Sequence, residues 1–194
     1  MQEPTDAELL RRARSGDEPA FARIVDRHKG PLVNYLARLS GNREDAEEYA
    51  QEAFLRLYRA AGRFRPDGKI APLLFRIAIN LARTRARRDR LWRLFVEGRP
   101  DGPAEEAEPA DGPAMSSERQ RLVRDAIGRL PPRCREVILL RDIEGWSYAE
   151  IASAVGCGEG TLKSRIGRGR EMLRRDLEPY WESAPRRKEG SGRG

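Results

Sequence analysis

The chain is poor in the side chains from which most catalytic and metal sites are built. Its 194 residues include one histidine, His28, and two cysteines, Cys134 and Cys157. There is no CxxC pair, so a zinc knuckle has no ligands. Nothing in the surrounding VDRHKGP gives His28 an oriented partner, which leaves a Cys–His catalytic pair without support. No catalytic residue, metal or cofactor is expected, and both cysteines read as reduced structural thiols. Aromatic residues are scarce, at 7%. No apolar run approaches the roughly 18 residues that a membrane span requires. The opening MQEPTDAELLRRARSGDEP is polar and charged, unlike a secretory signal. These absences point to a cytoplasmic protein with no membrane insertion.

Charge is what the sequence has in quantity. Lys and Arg number 38 against 31 Asp and Glu, a formal net charge of +7. Charged residues make up 36% of the chain and hydrophobic residues 39%, which allows only small cores. A basic balance of this size suits a polyanionic partner.

Apolar residues recur at helical spacing throughout, and no period-two strand pattern competes. Thr5-Asp6-Ala7-Glu8 fits a capping box ahead of Leu9, Leu10 and Ala13. A second helix carries Phe21, Ile24, Val25, Leu32, Val33, Leu36 and Leu39, and Gly41-Asn42 ends it. A third starts near Arg43 and runs to about Arg63, with Phe54, Leu55 and Tyr58 as its core residues. After the turn Arg65–Gly68 a fourth begins near Ala71-Pro72, its apolar side at 74, 77, 78 and 81. In the second half, a helix from Ser117 to Leu130 stops at Pro131-Pro132 and a short apolar helix follows. The expectation is an all-α protein of two small helical domains, residues 1–96 and 117–181, with a polar tail at 182–194. Between them, residues 97–116 are acidic and rich in Pro and Gly, a composition that cannot bury enough surface to offset its ordering entropy. They read as a flexible linker.

The stretch SYAEIASAVGCGEGTLKSRIGRGR (147–170) has the pattern of a helix-turn-helix. Ser147 and Glu150 can form a capping box, with Trp146 and Ile151 placed as a hydrophobic staple. Ile151, Ala152 and Val155 would face inward, and Gly156 suits the left-handed end of a helix. On the second helix Leu162 and Ile166 face the hairpin core. Thr161, Lys163, Ser164, Arg165, Arg168 and Arg170 remain outside, where Arg or Lys can read guanine edges and hold phosphates. Gly167 and Gly169 are costly there, each by about 0.8–1.0 kcal/mol relative to Ala. Either that helix frays or its backbone approaches something closely.

Two further surfaces stand out in the first half. The fourth helix becomes dense in arginine, with Arg83, Arg85, Arg87, Arg88, Arg90 and Arg93 opposed only by Asp89. A nucleic acid backbone relieves such like-charge crowding by counterion release. Before it, Glu44, Asp45, Glu47, Glu48, Gln51 and Glu52 make an acidic face, suited to solvent or to a basic protein partner.

DAEEYAQEAFLRLYRAAGRFRPDG followed by FRIAINLARTRARR resembles region 2 of bacterial extracytoplasmic-function (ECF) sigma factors, and LPPRCREVILLRDIEGWSYAEIASAVGCGEGTLKSRIGRGREML resembles their region 4. The order of the two motifs and the chain length agree with that family. The resemblance implies a transcription initiation factor that binds core RNA polymerase and promoter DNA, is monomeric when free, and has an anti-sigma factor as a further conceivable partner. It implies that Asp45, Glu48, Gln51, Glu52 and Leu55 dock on the polymerase. Phe64, Arg65, Lys69, Arg76, Asn80, Arg83 and Arg87 would read the −10 element, where a base is extruded so that melting begins. Thr161, Lys163, Ser164, Arg165, Arg168 and Arg170 would read the −35 element. The sequence departs from the family at Pro72-Leu73, where Ala and Trp are frequent, and at Gly167 and Gly169. A stand-alone helix-turn-helix regulator would need a dimerisation seam, and none is evident. A nuclease would need a partner for its carboxylates at 44–52, and no histidine or lysine pattern supplies one.

Overall fold

The computed structural model describes residues 3–61, 69–97 and 118–182. Within them every regular element is helical. Phe64, Arg65, the Arg65–Gly68 turn, the acidic stretch from 98 to 116 and the tail from 183 onward lie outside the described residues.

Helix α1 (Asp6–Arg14) starts as its sequence requires: Thr5 Oγ1 accepts the Glu8 N–H, and Glu8 returns a carboxylate to the Thr5 N–H at 2.8 Å. Arg27 and His28 hold it onto α2 (Glu18–Ser40), both reaching Asp6, at 2.9 and 2.6 Å. Gly41 ends α2 at φ 78°, a left-handed position suited to a residue without Cβ. Asn42 Oδ1 then caps α3 (Arg43–Ala60), accepting from Glu44 and Asp45 N–H. The inner face of α3 is Ala46, Tyr49, Ala50, Ala53, Phe54 and Leu57. Leu55 and Tyr58, expected in the core, are each 44% exposed on the opposite side. Phe54 and Leu57 already fill the inward positions, and Tyr58 instead meets the Phe21 ring edge-on at 4.9 Å.

Helix α4 (Ile70–Glu97) is the central element and packs against both α3 and α7. Its buried side therefore extends beyond the expected stripe: Leu74 and Ala78 are buried, but so are Ile70, Phe75, Ile79 and Ala82, while Ile77 and Leu81 are half-exposed. Pro72 sits in its first turn, where a missing N–H costs nothing.

The second half comprises α5 (Glu118–Arg129), α6 (Pro132–Ile138), a π turn (Leu139–Ile143), α7 (Tyr148–Val155) and α8 (Glu159–Glu182). Pro131 and Pro132 separate α5 from α6, the second of them at a first-turn position. The π turn closes with the Glu144 N–H donated to Leu139 O at 3.0 Å.

The two halves share one continuous apolar cluster running from Leu9 to Ile166. Phe75 lies between Tyr35, at 5.2 Å between ring centroids, and Trp146, at 4.7 Å. Trp146, expected as a staple for α7, thus also packs across to α4. Arg135 on α6 donates to Leu39 O at the end of α2 at 3.0 Å, and to Leu130 O and Gly128 O at the end of α5. One guanidinium thereby satisfies the free carbonyl ends of helices from both halves.

Candidate nucleic-acid interface

The hairpin of α7 and α8 follows its local sequence closely. Ser147 Oγ accepts the Glu150 N–H and Glu150 Oε2 accepts the Ser147 N–H at 2.9 Å. Gly156 takes φ 72°. Ile151, Ala154 and Val155 are buried, with Ala154 in the inner position expected for Ala152, which is half-exposed. Leu162 and Ile166 are buried and seat α8 on the rest of the domain. Thr161, Lys163, Ser164 and Arg168 face solvent and Arg165 is half-buried. This leaves the N-terminal turns of α8 with a polar and cationic outer surface.

Arg170 differs from its neighbours. Its guanidinium is engaged by Asp142 of the π turn at 2.5 and 3.2 Å, and that hydrogen-bonded pairing raises its pKa. The two glycines also part company. A Cβ on Gly169 would lie 2.7 Å from Ile138 Cγ1 and 3.5 Å from Cys134 Cβ, so α6 and α8 cross there at a distance only glycine permits. A Cβ on Gly167 would meet nothing within 4 Å. The helix is continuous through both positions.

On α4, Arg76, Asn80 and Arg87 are exposed at spacings of four and seven, forming one stripe with Thr84. Arg83 belongs to the same helix but turns inward. Its Nε and Nη2 donate to the two carboxylate oxygens of Glu136 at 2.7 and 2.6 Å, Nη1 reaches Asn80 Oδ1 and Val155 O at 3.3 Å, and the pairing with Glu136 raises its pKa. Glu136 has a side chain only 3% exposed and is the one buried charged residue among those described. Lys69, just ahead of α4, donates to Glu150 at 2.7 Å; chiefly through that bond, and then through Ser147, the Glu150 carboxyl is pushed down to about 2. Two of the expected DNA contacts are thus held by carboxylates of the second half.

The outward stripe of α3 carries Glu48, Gln51 and Leu55 in solvent and Asp45 and Glu52 half-exposed, with Glu52 paired to Arg56 at 2.7 Å. An exposed leucine beside a run of carboxylates suits a basic helical partner. Residues missed by sequence reasoning are Glu136 and Asp142, together with the contact of Trp146 with Phe75. Only Glu136 left a signal: an acid inside the apolar run CREVILL must be paired if that run is buried. No group of residues able to hold a metal ion occurs among the described residues, and no helix among them is long and apolar enough to cross a membrane.

An acidic stripe, a cationic helix and a capped helix-turn-helix are the surfaces expected of a factor that meets both DNA and protein. Residues 24–91 match the sigma-70 region 2 family and residues 120–173 the sigma-70, region 4 family. The RNA polymerase sigma-H factor of Pseudomonas aeruginosa is 32% identical, covering 95% of this chain and 100% of that protein. The ECF RNA polymerase sigma-E factor of Haemophilus influenzae is 34% identical, covering 90% of this chain and 96% of that protein. Among solved structures, CnrH in complex with the cytosolic domain of CnrY superposes with a TM-score of 0.66 at 30% identity, over 90% of this chain and 97% of that one. The chain belongs to the ECF sigma factors of bacterial RNA polymerase, which are transcription initiation factors.

Proposed function

We propose that residues 1–96 dock on core polymerase and open the −10 element, while residues 117–181 hold the −35 element, in a non-enzymatic division of labour carried out in the cytoplasm. The observation that carries this reading is the separation of three chemically distinct surfaces: the acidic α3 stripe around Leu55, the Arg76–Asn80–Arg87 stripe of α4, and the polar N-terminal turns of α8. The α3 stripe repels DNA and accepts a basic protein surface. The α4 stripe combines cations for phosphates with an amide that can hydrogen-bond the edge of an unpaired base. On α8, Lys163, Ser164, Arg165 and Arg168 lie where a recognition helix meets the major groove. Melting then consists of trading base stacking for contacts along α4 once α8 and the polymerase have fixed the register.

Run-off transcription with core polymerase, with and without the protein, tests the reading. Promoter-specific transcripts are expected only with it. Gln51→Ala with Glu52→Ala should weaken core binding about tenfold while leaving the helical circular dichroism intact. Undiminished binding by that variant would remove α3 from the docking role.

A further inference from the structure

The two halves are packed so that the second half supplies carboxylates where DNA would supply phosphates. Arg83 on α4 meets the Glu136 carboxylate through two parallel hydrogen bonds of 2.7 and 2.6 Å, the fork geometry in which a guanidinium also grips a phosphate. Its remaining nitrogen is turned towards Asn80 Oδ1 and Val155 O. Lys69, itself exposed, makes a single 2.7 Å hydrogen bond to Glu150. Glu136 lies on α6 and Glu150 on α7, the start of the helix-turn-helix, so both cations of one half are taken by acids of the other. Phe75 against Trp146 closes the same seam with apolar contact.

We propose that Glu136 is an internal phosphate mimic: the packed arrangement of the halves refuses single-stranded DNA at α4, and their separation hands Arg83 from Glu136 to the nucleic acid. This rests on the reading of α4 as the −10 contact surface. Burial is what makes the pair suitable. Glu136 is 3% and Arg83 24% exposed, so the ions have given up much of their hydration, and their mutual attraction largely offsets that loss rather than adding to stability. Such a pair contributes little net glue, yet neither partner tolerates being left alone in the packed state. It fixes the geometry of closure and lets a competing anion reverse it. The remaining α4 stripe, Arg76, Asn80 and Arg87, stays exposed and gives DNA a place to start.

The full-length Glu136→Gln variant tests this. The uncharged amide keeps the shape and removes the anion. Without polymerase, the variant should bind a fluorescent mixed-sequence 12-nucleotide single strand about tenfold more tightly than the parent, with a larger radius of gyration by small-angle scattering. A folded variant with parental affinity and radius overturns the proposal. Should the variant fail to fold, the parent chain carries its own reporter. Cys157 is half-buried two residues beyond Val155, whose carbonyl accepts from Arg83 at 3.3 Å. Saturating single strand should speed maleimide labelling of Cys157 at least threefold; an unchanged or slower rate means that DNA binds without separation, and the proposal fails. Run-off transcription with the parent chain separates the two levels. Transcripts with neither response sink the latch alone, whereas no transcript from any promoter removes the underlying reading as well.

Discussion

Helices α4 and α8 are both long, both rich in arginine and both assigned to DNA, yet the fold treats their cations differently. On α8 the proposed reading residues Lys163, Ser164 and Arg168 stand in solvent, and the arginine held back, Arg170, pairs with Asp142 inside its own half. On α4 the arginine held back pairs across the seam between halves. The first arrangement pre-organises a surface. The second makes one surface conditional on the position of another. Arginine density alone does not separate the two cases; the location of the opposing carboxylate does.

The largest expected effect follows from breaking the α4 side. Arg83→Ala leaves the buried Glu136 with only the solvent-exposed Arg133 beside it, at 3.8 Å, which removes at most about 3–5 kcal/mol from the packing of the halves. Urea unfolding should show an early transition absent from the parent. A single, unshifted transition would mean that Arg83 and Glu136 do not govern the seam.

Gly169→Ala should come next. Its Cβ would press on Ile138 at 2.7 Å, and forcing α6 and α8 apart costs about 1–3 kcal/mol, read from the denaturant midpoint. Of comparable size is the contrast between two arginines of α8. Arg168→Ala should weaken −35 recognition by about 1–3 kcal/mol in promoter titrations, while Arg170→Ala should change recognition less and stability more, because Asp142 already occupies it. Equal losses of recognition would mean that Arg170 leaves Asp142 for DNA. Gly167→Ala, by contrast, should stabilise the chain by up to about 1 kcal/mol, since open space receives the methyl group and the helix gains propensity.

The smallest effect is one of pH. The Glu150 carboxyl is held at about 2, first by Lys69 and then by Ser147, below its ordinary 4.5. A depressed carboxyl contributes stability that is whole above 4.5 and is lost as pH falls towards 2. The denaturant midpoint should therefore carry a Glu150 contribution that is constant from pH 7 to 5 and declines below 4.5, and Lys69→Met should flatten that decline.

What was legible in the sequence was local. The capping boxes at Thr5 and Ser147, the left-handed glycines at 41 and 156, and the inward pair Leu162 and Ile166 are each specified within a few residues of one another. The exposed acidic stripe of α3 was legible for the same reason, since a run of acids on one helix needs no distant partner. What escaped was every feature set by a remote contact. Arg83 and Glu136 are 53 positions apart, and nothing around Arg83 marks it as different from Arg87. Gly169 allowed either a frayed helix or a close approach, and what decides for the close approach is Ile138, which lies on another helix. The spacing of Leu55 and Tyr58 is helical, so pattern alone put them in the core, whereas packing left them outside.

The π turn at Leu139–Ile143 has a consequence for how the end of its helix meets α8. Such a turn amounts to one residue inserted into an α-helix, and one residue is about 100° of azimuth. Within this helix the later residues are swung by that angle, and Asp142 faces Arg170. A single inserted residue thus works as a phase adjustment, setting which carboxylate faces Arg170 without altering any residue of α8.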